Sequence, residues 1–165
     1  MQIIETRVYT YDELDEKAQE RAREWYLSAD DDFLESVADT LMMALQGAYG
    51  PDARIDGWDY YRSHVAVGGK LLRPDVNESE NAGFRDWKLD GVPLEVTEEW
   101  PAPEHDVLDL DNYYLPEAND YLAAVESVLV RLMNAEGDHL TSEEYVSETI
   151  IANGYTFTAV GRWFG

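Results

Sequence analysis

Between Tyr121 and Met133 the chain places Tyr121, Ala124, Val125, Val128, Leu129, Leu132 and Met133 three and four residues apart. Only an α-helix gathers that spacing onto one face, so the segment predicts a helix with a wide apolar stripe, ending near Gly137. A stripe of that width must lie on a second apolar surface, which the remaining elements have to supply.

Three more helices are expected. In "YTYDELDEKAQERAREWY" (9–26), Thr10 with Glu13 forms a capping box, and Leu14, Ala18, Ala22 and Trp25 follow at helical spacing. The opposite face interleaves Asp12, Glu16, Glu20 and Glu24 with Lys17, Arg21 and Arg23, a pattern that predicts ion pairs three and four residues apart. Asp30-Asp31-Asp32 can cap a second helix bearing Phe33, Val37, Leu41, Ala44, Leu45 and Ala48, stopped by Gly50-Pro51. Thr141 with Glu144 is another capping box. It opens a shorter helix through Tyr145 and Ile150, closed by Asn153-Gly154.

Strand signals lie between these helices. "QIIETRVYT" (2–10) is rich in β-branched and aromatic residues, and "YTFTAV" (155–160) alternates as a last strand. "ARIDGWDYY" and "SHVAVGGKLL", separated by Arg62, predict an antiparallel pair with a tight connection, with Trp58, Tyr60 and Tyr61 as packing residues. From Pro74 to Pro116 the periodicity fades into polar, proline-bearing sequence, within which "VPLEVTEEW" (92–100) is expected as an edge strand. Helices and strands interleave without a βαβ period. The expected fold is α+β: a single domain over 1–165, with a small antiparallel sheet packed against about four helices and an acidic, loop-rich insertion at about 74–116.

The charge narrows the function. Asp and Glu number 35 against 12 Lys and Arg, for a formal net charge of -23. A field of that sign repels nucleic acid and anionic membrane and attracts basic surfaces, so the expected partner is a basic nucleic-acid-binding protein, with no direct nucleic acid binding and no membrane. No stretch approaches the roughly 18 apolar residues of a membrane span, which points to the cytoplasm. The excess has two explanations. It serves binding, or it reflects a salty milieu or a GC-rich genome, as three lysines beside nine arginines also allow.

Catalytic signals are thin. The chain has no cysteine, so thiolate chemistry is excluded. His64, His105 and His139 are far apart and form no HExxH or HxH arrangement. Gly68-Gly69-Lys70 lacks the rest of a phosphate loop. "DVNESENAGFRD" (75–86) has alternating oxygen donors like a calcium loop, but Glu80 replaces the turn glycine and Asp86 the bidentate Glu. Asp106, Asp109 and Asp111 could hold magnesium, although carboxylate runs arise readily in so acidic a chain. No cofactor, metal or catalytic residue is assigned, and the expectation is a non-enzyme.

The stretches "YTYDELDEKAQERAREWY", "IDGWDYYRSHVAVGG" and "YVSETIIANGYTFTAVGR" also resemble a widespread family of small bacteriophage proteins. Members of that family open with a Tyr-x-Phe/Tyr-x-Glu-Leu helix, sometimes labelled antitoxin-like, and close with an Asn-x-Tyr-x-Phe-x-x-x-Gly-Arg strand. The likeness covers both ends and omits the acidic middle. It implies phage origin and supplies no site residues. Joined to the charge, it implies an anti-defence role: a DNA mimic that occupies the groove of a CRISPR effector or restriction complex. The candidate partner-binding residues are Asp30, Asp31, Asp32 and Glu35; Glu95, Glu98 and Glu99; Glu104, Asp106, Asp109 and Asp111; and Glu143, Glu144 and Glu148. Trp100, Tyr113 and Tyr114 could anchor such an interface or belong to the core. The alternatives are a neutraliser of a basic toxin, a metal-dependent enzyme and a halophilic protein of unrelated function.

Overall fold

Four helices carry the apolar stripes read from the sequence: α1 (Glu16–Ala29), α2 (Asp32–Tyr49), α3 (Asn119–Leu140) and α4 (Glu143–Ala152). The computed structural model describes residues 1–29, 32–77, 88–89, 92–93, 96, 98–112 and 116–165. The strands are β1 (Tyr9–Thr10), β2 (Ala53–Asp59), β3 (His64–Leu72), β4 (Lys88–Leu89), β5 (Val92–Pro93), β6 (Val107–Asp109) and β7 (Thr156–Phe157). The fold class is α+β, as expected. The expected domain over 1–165 gathers into two compact units, Met1–Phe33 with Asp138–Gly165, and Leu34–Gly137.

In the first unit, α1 buries Ala18 and Ala22 against Val146 and Ile150 of α4, and Tyr11, Leu14 and Phe157 complete the core. Thr10 and Glu13 do interact, the Glu13 carboxylate accepting the Thr10 N–H at 2.8 Å. They cap a single 3-10 turn, Tyr11–Glu13, and Leu14 then leaves helical geometry. The cap of α1 is Asp15, whose Oδ1 accepts the Ala18 N–H at 2.8 Å. α4 likewise starts one residue later than read: Ser142 is the N-cap, its Oγ accepting from the Tyr145 N–H at 3.2 Å.

The terminal strands are shorter than expected. β1 pairs antiparallel with β7 only at Tyr9↔Phe157 and Thr10↔Thr156, and Phe157 also bridges Trp163. Residues 1–7 are exposed, and 1–8 carry no regular structure. Trp25 binds the closing turn through its ring: it stacks on Trp163 (centroids 5.3 Å, planes 10° apart) and meets Tyr155 and Phe157 edge-on.

In the second unit the strand order is β2-β3-β6, all antiparallel. The β2–β3 pair forms where the sequence places it. Its register shifts between Ile55 and Gly57, a bulge at Asp56. The edge strand β6 was not anticipated, because "VLD" is short and sits inside an acidic run. Of "VPLEVTEEW", Val92–Pro93 pairs with Lys88–Leu89, and positions 94, 95 and 97 lie outside the described residues. Helical residues Val37, Leu41, Leu45, Val125, Leu132 and Met133 are all at most 2% exposed, as are Val65 and Leu71 of β3.

The helix α3 runs past Gly137, which is no helix stop. The Tyr60 ring lies so close that a Cβ there would overlap it. This contact keeps Tyr60 half-buried as a packing residue, whereas Tyr61, expected to pack, is 76% exposed.

Candidate functional site

The charged face of α1 does not form the expected ion pairs. Arg23 turns toward α4: its Nη1 donates to the Tyr11 hydroxyl at 2.7 Å and lies 3.7 Å from the Glu143 carboxylate. Tyr11 in turn shares a hydrogen bond with Ser147 at 2.9 Å, so one network joins the first turn, α1 and α4. Burial pulls the Arg23 pKa down, but the Tyr11 hydroxyl, Glu143 and Glu20 outweigh it and leave it raised. Arg21 turns the other way and donates to the Val160 carbonyl at 3.4 Å.

With both arginines committed to the fold, Glu16, Glu20 and Glu24 stand exposed four residues apart, with no ion pair within 4 Å among the described residues. Four residues advance a helix by about 6 Å, so the three carboxylates form a ladder along one face. These residues were missed as site candidates because opposite charges at pairing distance predicted neutralisation. The clue available in sequence was the unbroken i,i+4 repeat of glutamate.

On α4, Glu143, Glu144 and Glu148 are exposed as expected. Glu143 and Glu144 also sit in the first turn, where carboxylates complement the helix N-terminus. Glu144 and Glu148 repeat the four-residue spacing. Of the first candidate cluster, Asp30 and Asp31 lie outside the described residues, Asp32 is the first residue of α2, and Glu35 is exposed on its first turn.

In the second unit the acidic run divides in two. Glu98, Glu99 and Glu104 are exposed, and Glu95 lies outside the described residues. Asp106, Asp109 and Asp111, by contrast, hold the sheet edge. Asp106 pairs with Arg73 at 3.0 Å. Asp109 closes a turn by accepting from the Asn112 side chain at 3.1 Å and from the backbone N–H groups of Asp111 and Asn112. Asp111 takes both Nη atoms of Arg54 and also accepts the Gly69 N–H at 3.3 Å. The Asn112 side chain, with those backbone amides, holds the Asp109 carboxyl below its ordinary range, and the Arg54 fork does the same for Asp111. Arg54 is correspondingly raised, first by Asp111 and then by Asp56, which it also contacts.

The other sequence signals are accounted for locally. Gly69 has φ +79° and packs against the Asp52 carbonyl, so Gly68-Gly69 is a sheet feature that needs glycine. Asp75 pairs with Arg73 at 2.6 Å, while positions 78–86 of the calcium-like loop lie outside the described residues. His64, His105 and His139 are exposed, and among the described residues no three His, Asp or Glu side chains gather to hold a metal. Trp100 takes the core role: it donates to the His105 carbonyl at 2.8 Å and its ring meets Tyr121 edge-on at 5.4 Å. Tyr113 and Tyr114 lie outside the described residues. A cavity between α2 and α3, lined by Leu45, Tyr49, Val96 and Val125 among others, has about 10 Å³, room for one water at most. Among the described residues no helix is long and apolar enough to cross a membrane. Comparison of the chain with protein families, with curated proteins and with solved structures finds no match.

Proposed function

We propose that this chain is an acidic inhibitor of phage type, which presents a DNA-like array of carboxylates to a basic nucleic-acid-binding complex of host defence and blocks it by stoichiometric occupancy. CRISPR effectors and restriction systems are the target class. The phage assignment comes from the sequence resemblance, and the groove from the charge.

The observation that carries the reading is the ladder of Glu16, Glu20 and Glu24, left exposed while Arg21 and Arg23 turn to the fold. One charge about every 6 Å is sparser than the 3.4 Å rise per phosphate of one DNA strand, so a single helix is an incomplete mimic. Glu143, Glu144 and Glu148 on the adjoining α4 add a second row in the same unit. Within the second unit Glu98, Glu99 and Glu104 are exposed carboxylates of their own, whereas Asp106, Asp109 and Asp111 serve mainly to hold the sheet edge.

The test is capture of partners from a bacterial lysate by the tagged chain at low and high salt, with identification by mass spectrometry. The expected result is a basic CRISPR or restriction subunit, released by salt and by added duplex DNA, and weakened when Glu16, Glu20 and Glu24 are changed to Gln. Binding that ignores salt, or that survives those substitutions together with Gln at Glu143, Glu144 and Glu148, overturns mimicry. Recovery of a small toxin alone would assign the charge to antitoxin chemistry instead.

A further inference from the structure

Residues 2–10 have the composition of a β-strand, yet only Tyr9 and Thr10 are paired. Ile3 and Ile4 are 78% and 77% exposed, which leaves strand-forming apolar sequence without a partner strand among the described residues. The segment directly continues β1, whose one edge is taken by β7. It is also close to neutral in a chain of net charge -23, since Glu5 and Arg7 balance.

We propose that this segment is a dimerisation strand, pairing antiparallel with the same segment of a second copy of the chain. The sequence is self-complementary about Thr6. With Thr6 opposite Thr6, Glu5 faces Arg7 and Arg7 faces Glu5, Ile4 faces Val8, and Ile3 faces Tyr9. Opposite-charge, Thr–Thr, aliphatic and aromatic–aliphatic cross-strand pairs all stabilise antiparallel strands. No other register does this. Moving the centre to Glu5 or to Arg7 sets like charges opposite each other, and centring between residues pairs Glu5 with Thr6 or Val8. The two-fold arrangement joins β7-β1 of one copy to β1-β7 of the other in one continuous sheet, an isologous interface.

Two strands of this length make a small interface, so the dimer is weak, with Kd about 10 to 100 µM. Its salt response is opposite to that of basic-partner binding. Salt screens the mutual repulsion of two acidic chains, so the dimer strengthens with salt, and failure of this inference is distinguishable from failure of the inhibitor reading.

Sedimentation equilibrium across about 1 to 500 µM at low and high salt tests the proposal over the Kd range that a small interface allows. The expected result is a reversible dimer of the 18.8 kDa chain that Glu5→Arg weakens by about ten-fold or more, because two opposite-charge pairs become like-charge pairs. The swap Glu5→Arg with Arg7→Glu should restore it, since the facing pairs are again opposite. Both substitutions lie on exposed residues outside the core, so the fold is retained. A chain that stays monomeric at every concentration and salt overturns the proposal. So does a dimer indifferent to Glu5→Arg or not restored by the swap.

Discussion

Arg54 and Asp111, 57 positions apart, meet as a fork, with Nη1 donating to Oδ2 at 3.0 Å and Nη2 to Oδ1 at 2.8 Å. The pair reaches from β2 across β3 to the residues just after β6. It fastens an edge strand of three residues of which only Leu108 is buried. Arg54→Gln is therefore expected to loosen that edge while leaving the helices intact. The readout is amide exchange: the Gly69 N–H, which donates to Asp111, and the Leu110 N–H, which donates to the Gly69 carbonyl, should both lose protection. Unchanged protection at both amides would show that the fork is incidental.

The same edge should respond to acid. The Asn112 side chain holds Asp109 below the ordinary carboxylate range, and Arg54 holds Asp111 there. A carboxyl with a lowered folded pKa releases its proton more readily folded than unfolded. Its contribution is thus complete above the unfolded value of about 3.9 and is lost as pH falls through the folded value. Urea unfolding between pH 6 and pH 2.5 should show stability falling below about pH 4, with a shallower fall in Asp111→Asn. Because both groups lie at the surface, added salt should flatten the same slope. An identical pH profile in Asp111→Asn would refute the assignment.

Glu126 covers the part of β3 that β6 does not reach. Its Oε1 accepts the Val67 N–H at 3.1 Å, so a strand amide is satisfied by a helix carboxylate. Glu126→Ala leaves a half-buried donor without that acceptor and should cost about 1–3 kcal/mol in urea unfolding. Glu126→Gln keeps an acceptor oxygen and should cost less. Equal losses for Ala and Gln would mean that the charge, and not the hydrogen bond, is what β3 uses.

Gly137→Ala provides a test with opposing terms. Replacing a mid-helix glycine normally stabilises by about 1 kcal/mol. Here the new methyl would overlap the Tyr60 ring, and overpacking of this kind costs about 1–3 kcal/mol. The net expectation is a loss of up to about 2 kcal/mol, turned into a gain when Tyr60 is also changed to Ala, relative to Tyr60→Ala alone. A stabilised single variant would show that the ring moves aside freely.

How much of this was legible in the sequence depended on the range of the interaction. Helix stripes such as Val37, Leu41 and Leu45, or Val125, Leu129 and Leu132, are local periodicities, and each is buried as read. The β2–β3 pairing was legible for the same reason, being adjacent in the chain. Caps were legible to within one residue for α4 and missed by five for α1. Several residues near each helix start can accept a backbone N–H, and Asp15 and Ser142 prevailed over Thr10 and Thr141. What failed was non-local. The β6 strand is flanked by ion pairs of Arg54 and Arg73 with acids just beyond its ends, and Gly137 lies against the ring of Tyr60, far away in sequence. The charge pairing of α1 was illegible in the same way: no local rule shows that Arg23 contacts Tyr11 and Glu143 in place of the glutamates of its own helix.

The glutamate ladder of α1 yields the sharpest link between stability and function. Like charges four residues apart on a helix repel by about 0.2–0.5 kcal/mol per pair, and Glu20 belongs to two such pairs, with Glu16 and with Glu24. Set against the loss of its attraction to Arg23, Glu20→Gln should therefore raise stability by only up to about 0.5 kcal/mol at low salt, with the gain fading as salt screens the repulsion. If the ladder serves only solubility, nothing else should change. If it serves a basic partner, the same substitution should weaken capture while it stabilises the fold, the trade expected where charges are kept for binding at the expense of the folded state. Thermal unfolding and partner capture measured on this one variant at two salt concentrations separate the cases. A Glu20→Gln chain that is more stable and binds a basic partner as tightly as before would remove α1 from the binding surface.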